Sequence, residues 1–81
     1  MEISFVGGGV MAEALIGGVI EGHITPADRI RVSEPVEARR QYLEEKFGLK
    51  SYSSNRDVLP GADLVVLAIK PQTLPYVAPR A

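Results

Sequence analysis

Hydrophobic positions along this 81-residue chain fall into short blocks whose spacing changes from that of a strand to that of a helix and back. The first block, residues 3–6, predicts a β-strand, and three glycines follow it directly. Residues 9–21 then predict a helix, because apolar side chains recur at intervals of four residues. They form two adjacent rows: Met11, Leu15 and Val19 beside Ala12, Ile16 and Ile20. Both rows predict packing on a sheet, and we expect close helix packing to offset the cost of the mid-helix pair Gly17-Gly18.

The middle of the chain predicts a second strand and a second helix. Gly22 ends the first helix, and a proline-containing loop leads to a strand over residues 30–33. The segment Glu34-Pro35-Val36-Glu37 predicts a helix start, with Glu34 at the N-cap and Pro35 in the first helical position. The helix should end near Phe47. Its expected inward side chains are Val36, Leu43 and Phe47, and its expected outward ones are Arg39, Arg40, Glu44 and Glu45.

The last third of the chain predicts two more strands. Residues 49–52 form a short third strand, and a polar connection over 53–61 contains one helical turn. The unbroken apolar run 64–69 is typical of a strand covered on both faces. Right-handed crossovers then give an α/β, Rossmann-like parallel sheet of strand order 3-2-1-4, the first half of a doubly wound domain. A ligand should lie at the carboxyl ends of strands one and four, where the winding direction reverses.

The glycines have a spacing that points to a specific chemistry. Gly7-x-Gly9-x-x-Ala12 matches the dinucleotide-binding fingerprint in its G-x-G-x-x-A form. Gly7 would allow the tight exit from the strand, Gly9 would let a pyrophosphate approach the backbone, and Ala12 would let the helix pack closely. The N–H groups of the first helical turn and the helix dipole would hold the phosphate charge. Because a triple glycine also occurs in plain flexible turns, the assignment depends on the flanking strand and helix.

Composition excludes several other kinds of site. With a net charge of -1 the chain has no broad basic field, which disfavours nucleic-acid binding, and no apolar run approaches the roughly 20 residues of a membrane span. The length suits one small domain, and without a leader segment we expect it in the cytoplasm. The absence of cysteine excludes disulfides, thiolate metal sites and a cysteine nucleophile. The single histidine, His23, is expected in an exposed loop, and we predict neither a metal site nor a catalytic residue in this chain.

Two blocks of residues resemble the amino-terminal domain of the pyrroline-5-carboxylate reductase family. One is the glycine block 5–15, and the other is 61–72, where a strand runs into Ala68-Ile69-Lys70-Pro71-Gln72. The resemblance covers nearly all of this chain but only the cofactor-binding half of such an enzyme. It implies reduction of the cyclic imine pyrroline-5-carboxylate to proline, with hydride from NADPH or NADH. It also implies a helical second domain beyond this chain, which forms the homo-oligomer and most of the substrate site.

The resemblance also assigns cofactor contacts. The pyrophosphate would lie on Gly7, Gly8, Gly9, Val10, Met11 and Ala12, and Asn55 would reach the adenosine side. The approach to the nicotinamide would be lined by Ala68, Ile69, Lys70 and Pro71. Val10 departs from the family, which often has a polar residue there, so only a backbone role is retained. Pro75 and Pro79 interrupt a segment that the family usually makes helical.

The end of the second strand should decide between the two cofactors. Glu34 is placed to accept a hydrogen bond from the ribose 2′-hydroxyl and to repel a 2′-phosphate, which favours NADH. Ser33 with Arg39 or Arg40 could instead receive the phosphate of NADPH. A third interpretation is that Glu34 only caps the second helix and both arginines are solvated.

Three functions are compatible with the sequence. The first is the cofactor-binding portion of a pyrroline-5-carboxylate reductase. The second is a deazaflavin-dependent NADP reductase, which shares the Rossmann domain, although the segment Lys70-Pro71-Gln72 speaks against it. The third is a stand-alone nucleotide-binding module without catalysis. A helical domain encoded after Ala81 would support the first function, and a stop codon there would support the third.

Overall fold

A four-stranded sheet organises the computed structural model, which describes residues 1–68. The strands are β1 (Ile3–Val6), β2 (Ile30–Ser33), β3 (Lys50–Tyr52) and β4 (Leu64–Leu67), and the helices are α1 (Val10–Glu21) and α2 (Glu37–Phe47). Two 3-10 turns cover Ala27–Arg29 and Asn55–Asp57. The expectations for Ile69, Lys70, Pro71 and the proline-rich segment after them lie outside the described residues.

The predicted topology is confirmed. The sheet has the order β3-β2-β1-β4, and each neighbouring pair of strands is parallel. In this register Val6 pairs with Ser33 on one side and with Leu67 on the other, and Ser33 pairs in turn with Tyr52. The carboxyl ends of all four strands therefore meet at one edge, which is where parallel α/β folds place ligands.

The main core lies between the sheet and the two helices. Ile3 and Phe5 of β1 and Ile30 and Val32 of β2 are buried on one face, because alternate residues of a strand point the same way. The side chains packed with them in the same cluster are Ala12, Ile16, Leu43, Leu49 and Ala68. Full burial of a large apolar side chain contributes about 1.5–3 kcal/mol. This packing joins β1 and β2 to both helices through Ile16 of α1 and Leu43 of α2.

Only one of the two apolar rows of α1 is buried, so the expectation that both pack on the sheet is wrong. Ala12 and Ile16 are fully buried, whereas Met11 and Leu15 are 57% and 44% exposed. The helix turns one stripe toward the described strands; of the neighbouring row, Met11 and Leu15 face outward and Val19 packs against the core. The expected close packing of another element against Gly17 and Gly18 is not observed either. A Cβ on Gly18 would have no atom within 4 Å, and one on Gly17 would lie 3.9 Å from the Phe47 ring, so both positions have room for a side-chain carbon.

The expectation that the fourth strand is covered on both faces is wrong for the described part of the chain. Leu64, Val65 and Leu67 are 48%, 40% and 64% exposed. The reason is topological, since β4 lies at the sheet edge beside β1 and both described helices serve crossovers toward β2 and β3. An unbroken apolar run identifies the strand but not what covers it.

The start of α2 also differs from the prediction. The helix begins at Glu37 with Val36 at the N-cap, so Glu34 is not the N-cap and Pro35 is not in the first turn. Val36 is 55% exposed instead of inward, because it precedes the first helical turn. Leu43 is fully buried as expected. Arg39 and Arg40, expected outward, are half-buried because they bond to backbone.

Candidate cofactor-binding site

The turn from β1 into α1 has the geometry that the glycine fingerprint predicts. Gly7 has a φ of 105°, which side chains disfavour, and its N–H donates to Ser33 O at 2.9 Å. Gly9 is the N-cap of α1 with an ordinary φ of -82°, and a Cβ added there would meet nothing within 4 Å. Ala12 is fully buried in the core. Gly9 therefore borders open space, which leaves its backbone accessible to a ligand.

The first turn of α1 presents backbone donors that no side chain caps. The first helical bond runs from Glu13 N–H to Gly9 O at 3.0 Å. The N–H groups of Val10, Met11 and Ala12 precede it and have no partner within the helix. The Val10 and Met11 side chains are 80% and 57% exposed. These amides and the helix dipole fit the diphosphate of a dinucleotide.

Glu34 joins the end of β2 to the glycine turn. Its Oε1 accepts from Gly8 N–H at 2.9 Å, and its Oε2 accepts from Val36 N–H at 3.1 Å. The Gly8 amide therefore bonds to this carboxylate, and the amides left for a phosphate begin at Gly9. Gly8 fits tightly, since a Cβ there would lie 3.0 Å from both Glu34 Cβ and Leu43 Cδ1.

Both arginines at the start of α2 already have partners. Arg39 Nε donates to Gly8 O, and its Nη2 donates to Glu13 Oε1 at 2.8 Å. Arg40 Nη1 donates to the backbone oxygens of Glu34 and Pro35 at 2.7 and 3.1 Å. Both partly exposed guanidinium groups therefore bond to the protein, whereas the third interpretation left both arginines to solvent. To receive a 2′-phosphate, either one would have to share or give up these bonds.

The remaining predicted site residues lie around the same edge where the structure describes them. Ser33 is buried, and its Oγ donates to Asn55 Oδ1 at 2.5 Å, which connects the end of β2 to the 3-10 turn after β3. Ala68 is buried directly after β4, and its N–H donates to Val6 O at 2.8 Å. Ser33 and Ala68 therefore border the glycine turn, and Asn55 bonds to Ser33, while Ile69, Lys70 and Pro71 lie beyond the described residues.

Sequence reasoning missed a charged cluster that joins α1 to α2. Besides Arg39, Glu13 accepts a hydrogen bond from Tyr42 Oη at 2.7 Å and pairs with Lys46 Nζ at 3.0 Å. The Tyr42, Lys46 and Arg39 bonds lower the pKa of Glu13 to about 2, and the Glu13 bond raises the pKa of Lys46. The available signal was helical spacing, because Arg39, Tyr42 and Lys46 lie three and four residues apart on one face.

By their geometry and hydropathy, residues 1–68 show neither a metal-ligand cluster nor a membrane-spanning helix. No group of three or more acidic, histidine or cysteine side chains there could hold a metal ion. Within the same range, no helix is long and apolar enough to cross a membrane. A concave surface lies between α1 and α2 and runs from Val10 and Glu13, at the start of α1, to Glu21 at its end. Its lining residues include Gly17, Gly18, Glu21 and Phe47.

Known proteins are similar to this chain in sequence and in fold. The pattern of the family described as "NADP oxidoreductase coenzyme F420-dependent" matches residues 2–81. The chain is 40% identical over 73 residues to a pyrroline-5-carboxylate reductase of Vibrio alginolyticus, covering 90% of this chain and 26% of that protein. It is 37% identical over 70 residues to a pyrroline-5-carboxylate reductase of Glycine max, covering 86% of this chain and 26% of that protein. The chain spans about a quarter of the length of these relatives.

A solved structure agrees with these relatives. The pyrroline-5-carboxylate reductase of Coxiella burnetii matches with a TM-score of 0.81 and 36% sequence identity, over 90% of this chain and 27% of that chain. The family description implies a nicotinamide nucleotide cofactor, and the glycine turn fits one. The resemblance stated from the sequence is thus confirmed. The chain belongs to the family of NADP oxidoreductases described as coenzyme F420-dependent, and it is similar to the nicotinamide-nucleotide-binding part of pyrroline-5-carboxylate reductases.

Proposed function

We propose that this chain is the dinucleotide-binding domain of a longer pyrroline-5-carboxylate reductase, which reduces 1-pyrroline-5-carboxylate to proline. The observation that carries the proposal is the uncapped start of α1 next to Gly9, at the sheet edge where Ser33, Glu34 and Ala68 also lie. The similarity to reductases over 90% of the chain supplies the substrate class. A helical domain contributed by the rest of the enzyme would provide the substrate contacts and the homo-oligomer interface.

In this proposal each described residue has a binding role. The Gly9 amide and the first-turn amides of Val10 and Met11 hold the pyrophosphate, and Gly7 and Ala12 shape the turn around it. The bound cofactor supplies hydride for the imine carbon. The chain's own residues bind and orient it, and none of those described takes part in proton transfer. Ile69, Lys70 and Pro71 remain proposed neighbours of the nicotinamide.

For the choice between the two cofactors we propose NADH. The Glu34 carboxylate is fixed by Gly8 N–H and Val36 N–H, so its remaining lone pairs are in place for a ribose 2′-hydroxyl. A 2′-phosphate at the same position would face this negative charge. Arg39 and Arg40 bond to the protein's own oxygens, which argues against their receiving that phosphate.

The cofactor proposal is tested by titrating the chain with NADH and NADPH and following nicotinamide fluorescence. We expect NADH to bind more tightly, and Glu34→Gln to shift the preference toward NADPH by about tenfold because the repelling charge is removed. Glu37→Gln is the matched control, since Glu37 is an exposed acid at the start of α2 with no bond to the glycine turn. A wild-type chain that binds NADPH ten times more tightly than NADH would end the Glu34 assignment.

The activity is tested on the longer protein by measuring NADH oxidation that depends on pyrroline-5-carboxylate. We expect turnover with this imine and none with a reduced deazaflavin coenzyme and NADP⁺, the reaction that the family description suggests as an alternative. The 81-residue chain alone is expected to bind cofactor without useful turnover. Activity only with the deazaflavin would overturn the substrate assignment but not the cofactor site.

A further inference from the structure

The peptide between Gly8 and Gly9 is held at its carbonyl end by the Arg39 side chain of α2, and the peptide before it is held by Glu34. Gly8 N–H donates to Glu34, and Gly8 O accepts from Arg39 Nε. The described chain contains no cis peptide bond. In a trans peptide the C=O and the following N–H point in opposite directions. With Gly8 O directed at Arg39, the Gly9 N–H must point away from α2.

Arg39 is itself fixed by contacts that lie off the glycine turn. Its Nη2 bonds to Glu13 Oε1 at 2.8 Å, and its guanidinium carbon lies 4.8 Å from the centre of the Tyr42 ring. A planar guanidinium can make the Gly8 and Glu13 bonds at once with little loss of side-chain freedom. Arg39 therefore connects α1, α2 and the glycine turn in one arrangement.

A peptide between two glycines needs such support. Glycine backbones reach most angles at little cost, so this peptide can rotate where a bulkier sequence cannot. If this peptide rotated by half a turn, Gly8 O would point toward the phosphate position and Gly9 N–H would point away from it. Since a phosphate requires donors, that orientation would repel it.

We propose that Arg39 is a positioning residue for the cofactor: it holds Gly8 O so that the Gly9 N–H faces the pyrophosphate. The inference rests on the proposed dinucleotide site. It assigns Arg39 to the orientation of the phosphate-binding amide, and not to a 2′-phosphate. A lysine at this position would keep the charge but not the planar pair of donors.

The test compares Arg39→Lys and Arg39→Met with Lys46→Met. Lys46 pairs with the same Glu13 carboxylate and joins the same two helices, yet it makes no contact with the glycine turn. Affinity for NADH and for ADP-ribose is measured by calorimetry, and folding is checked by circular dichroism and thermal melting. A second readout is the amide resonance of Gly9, followed by ¹⁵N NMR during the ADP-ribose titration.

We expect both Arg39 variants to bind each ligand about tenfold more weakly and to show a reduced Gly9 amide shift, corresponding to one misdirected phosphate bond. Lys46→Met should melt at a lower temperature but bind within about twofold of wild type. Folded Arg39→Lys with wild-type affinity would overturn the inference, as would equal weakening by Lys46→Met. A wild-type chain that binds neither ligand would instead overturn the proposed function.

Discussion

Replacing Gly9 with valine separates the ligand role of the glycine turn from its structural role. Gly9 has φ -82° and ψ -162°, angles that a valine can adopt, and a Cβ there would meet no atom within 4 Å. The new side chain would enter the space that we assign to the pyrophosphate. The variant should therefore fold but bind cofactor much more weakly.

The magnitudes follow from these contacts. Loss of glycine freedom in the unfolded chain stabilises by about 0.4–1 kcal/mol, and a poorer N-cap residue costs a similar amount, so the net change in unfolding free energy should be within about 0.5 kcal/mol. One lost hydrogen bond to a charged phosphate is worth about 1.5–3 kcal/mol. Binding should then weaken by roughly ten- to a hundred-fold.

Gly8→Ala is the matched control, and it should behave in the opposite way. Its Cβ would lie 3.0 Å from Glu34 Cβ and from Leu43 Cδ1, so packed atoms must move. Overpacking of this kind costs about 1–3 kcal/mol. At roughly 4–8 °C per kcal/mol for a domain of this size, Tm should fall by about 4–24 °C.

The assay is a thermal melt and a fluorescence titration with NADH on each variant. The expected result is a wild-type Tm with much weaker affinity for Gly9→Val, and a lowered Tm for Gly8→Ala. A folded Gly9→Val that binds NADH within about twofold of wild type would show that the pyrophosphate does not lie on this turn.

Two further predictions concern stability. Gly18→Ala should raise the free energy of unfolding by about 1 kcal/mol, because Gly18 is exposed within α1 and a Cβ there meets nothing within 4 Å; an unchanged or lower Tm would contradict this. Glu13 has a folded-state pKa of about 2, below its ordinary 4.5, so its stabilising contribution should be complete above about pH 4.5 and lost as the pH falls toward 2. Melting wild type and Glu13→Gln across this range should show a Tm difference that vanishes at the acid end, whereas a constant difference would place the stabilisation elsewhere.

The strand order followed from the sequence because local and global signals agreed. Short apolar strands, a glycine turn and two helices permit one parallel arrangement with right-handed crossovers, and the structure has it. Gly7 and Ala12 were identifiable for the same reason, since the turn requires a positive φ at one position and close packing at the other.

The errors arose where contacts between distant residues decide the outcome. Glu34 has the local pattern of an N-cap, yet its carboxylate bonds to Gly8, a residue on another element. Arg39 has the spacing of a solvated helix face, yet it reaches Gly8 O and Glu13. Leu67 belongs to an apolar run, but it lies on the edge strand of the described sheet. Such partners depend on the assembled fold, and local sequence patterns do not identify them.

The most direct test is a ¹⁵N NMR titration of the chain with NADH. The amide resonances of Gly9, Val10 and Met11 should shift most, together with those of Ser33 and Glu34 at the end of β2. Resonances of Gly18 and Glu21, in the groove between α1 and α2, should stay in place. Shifts confined to Gly17, Gly18 and Glu21, or no shifts at saturating NADH, would contradict the assignment of the glycine turn as the cofactor site.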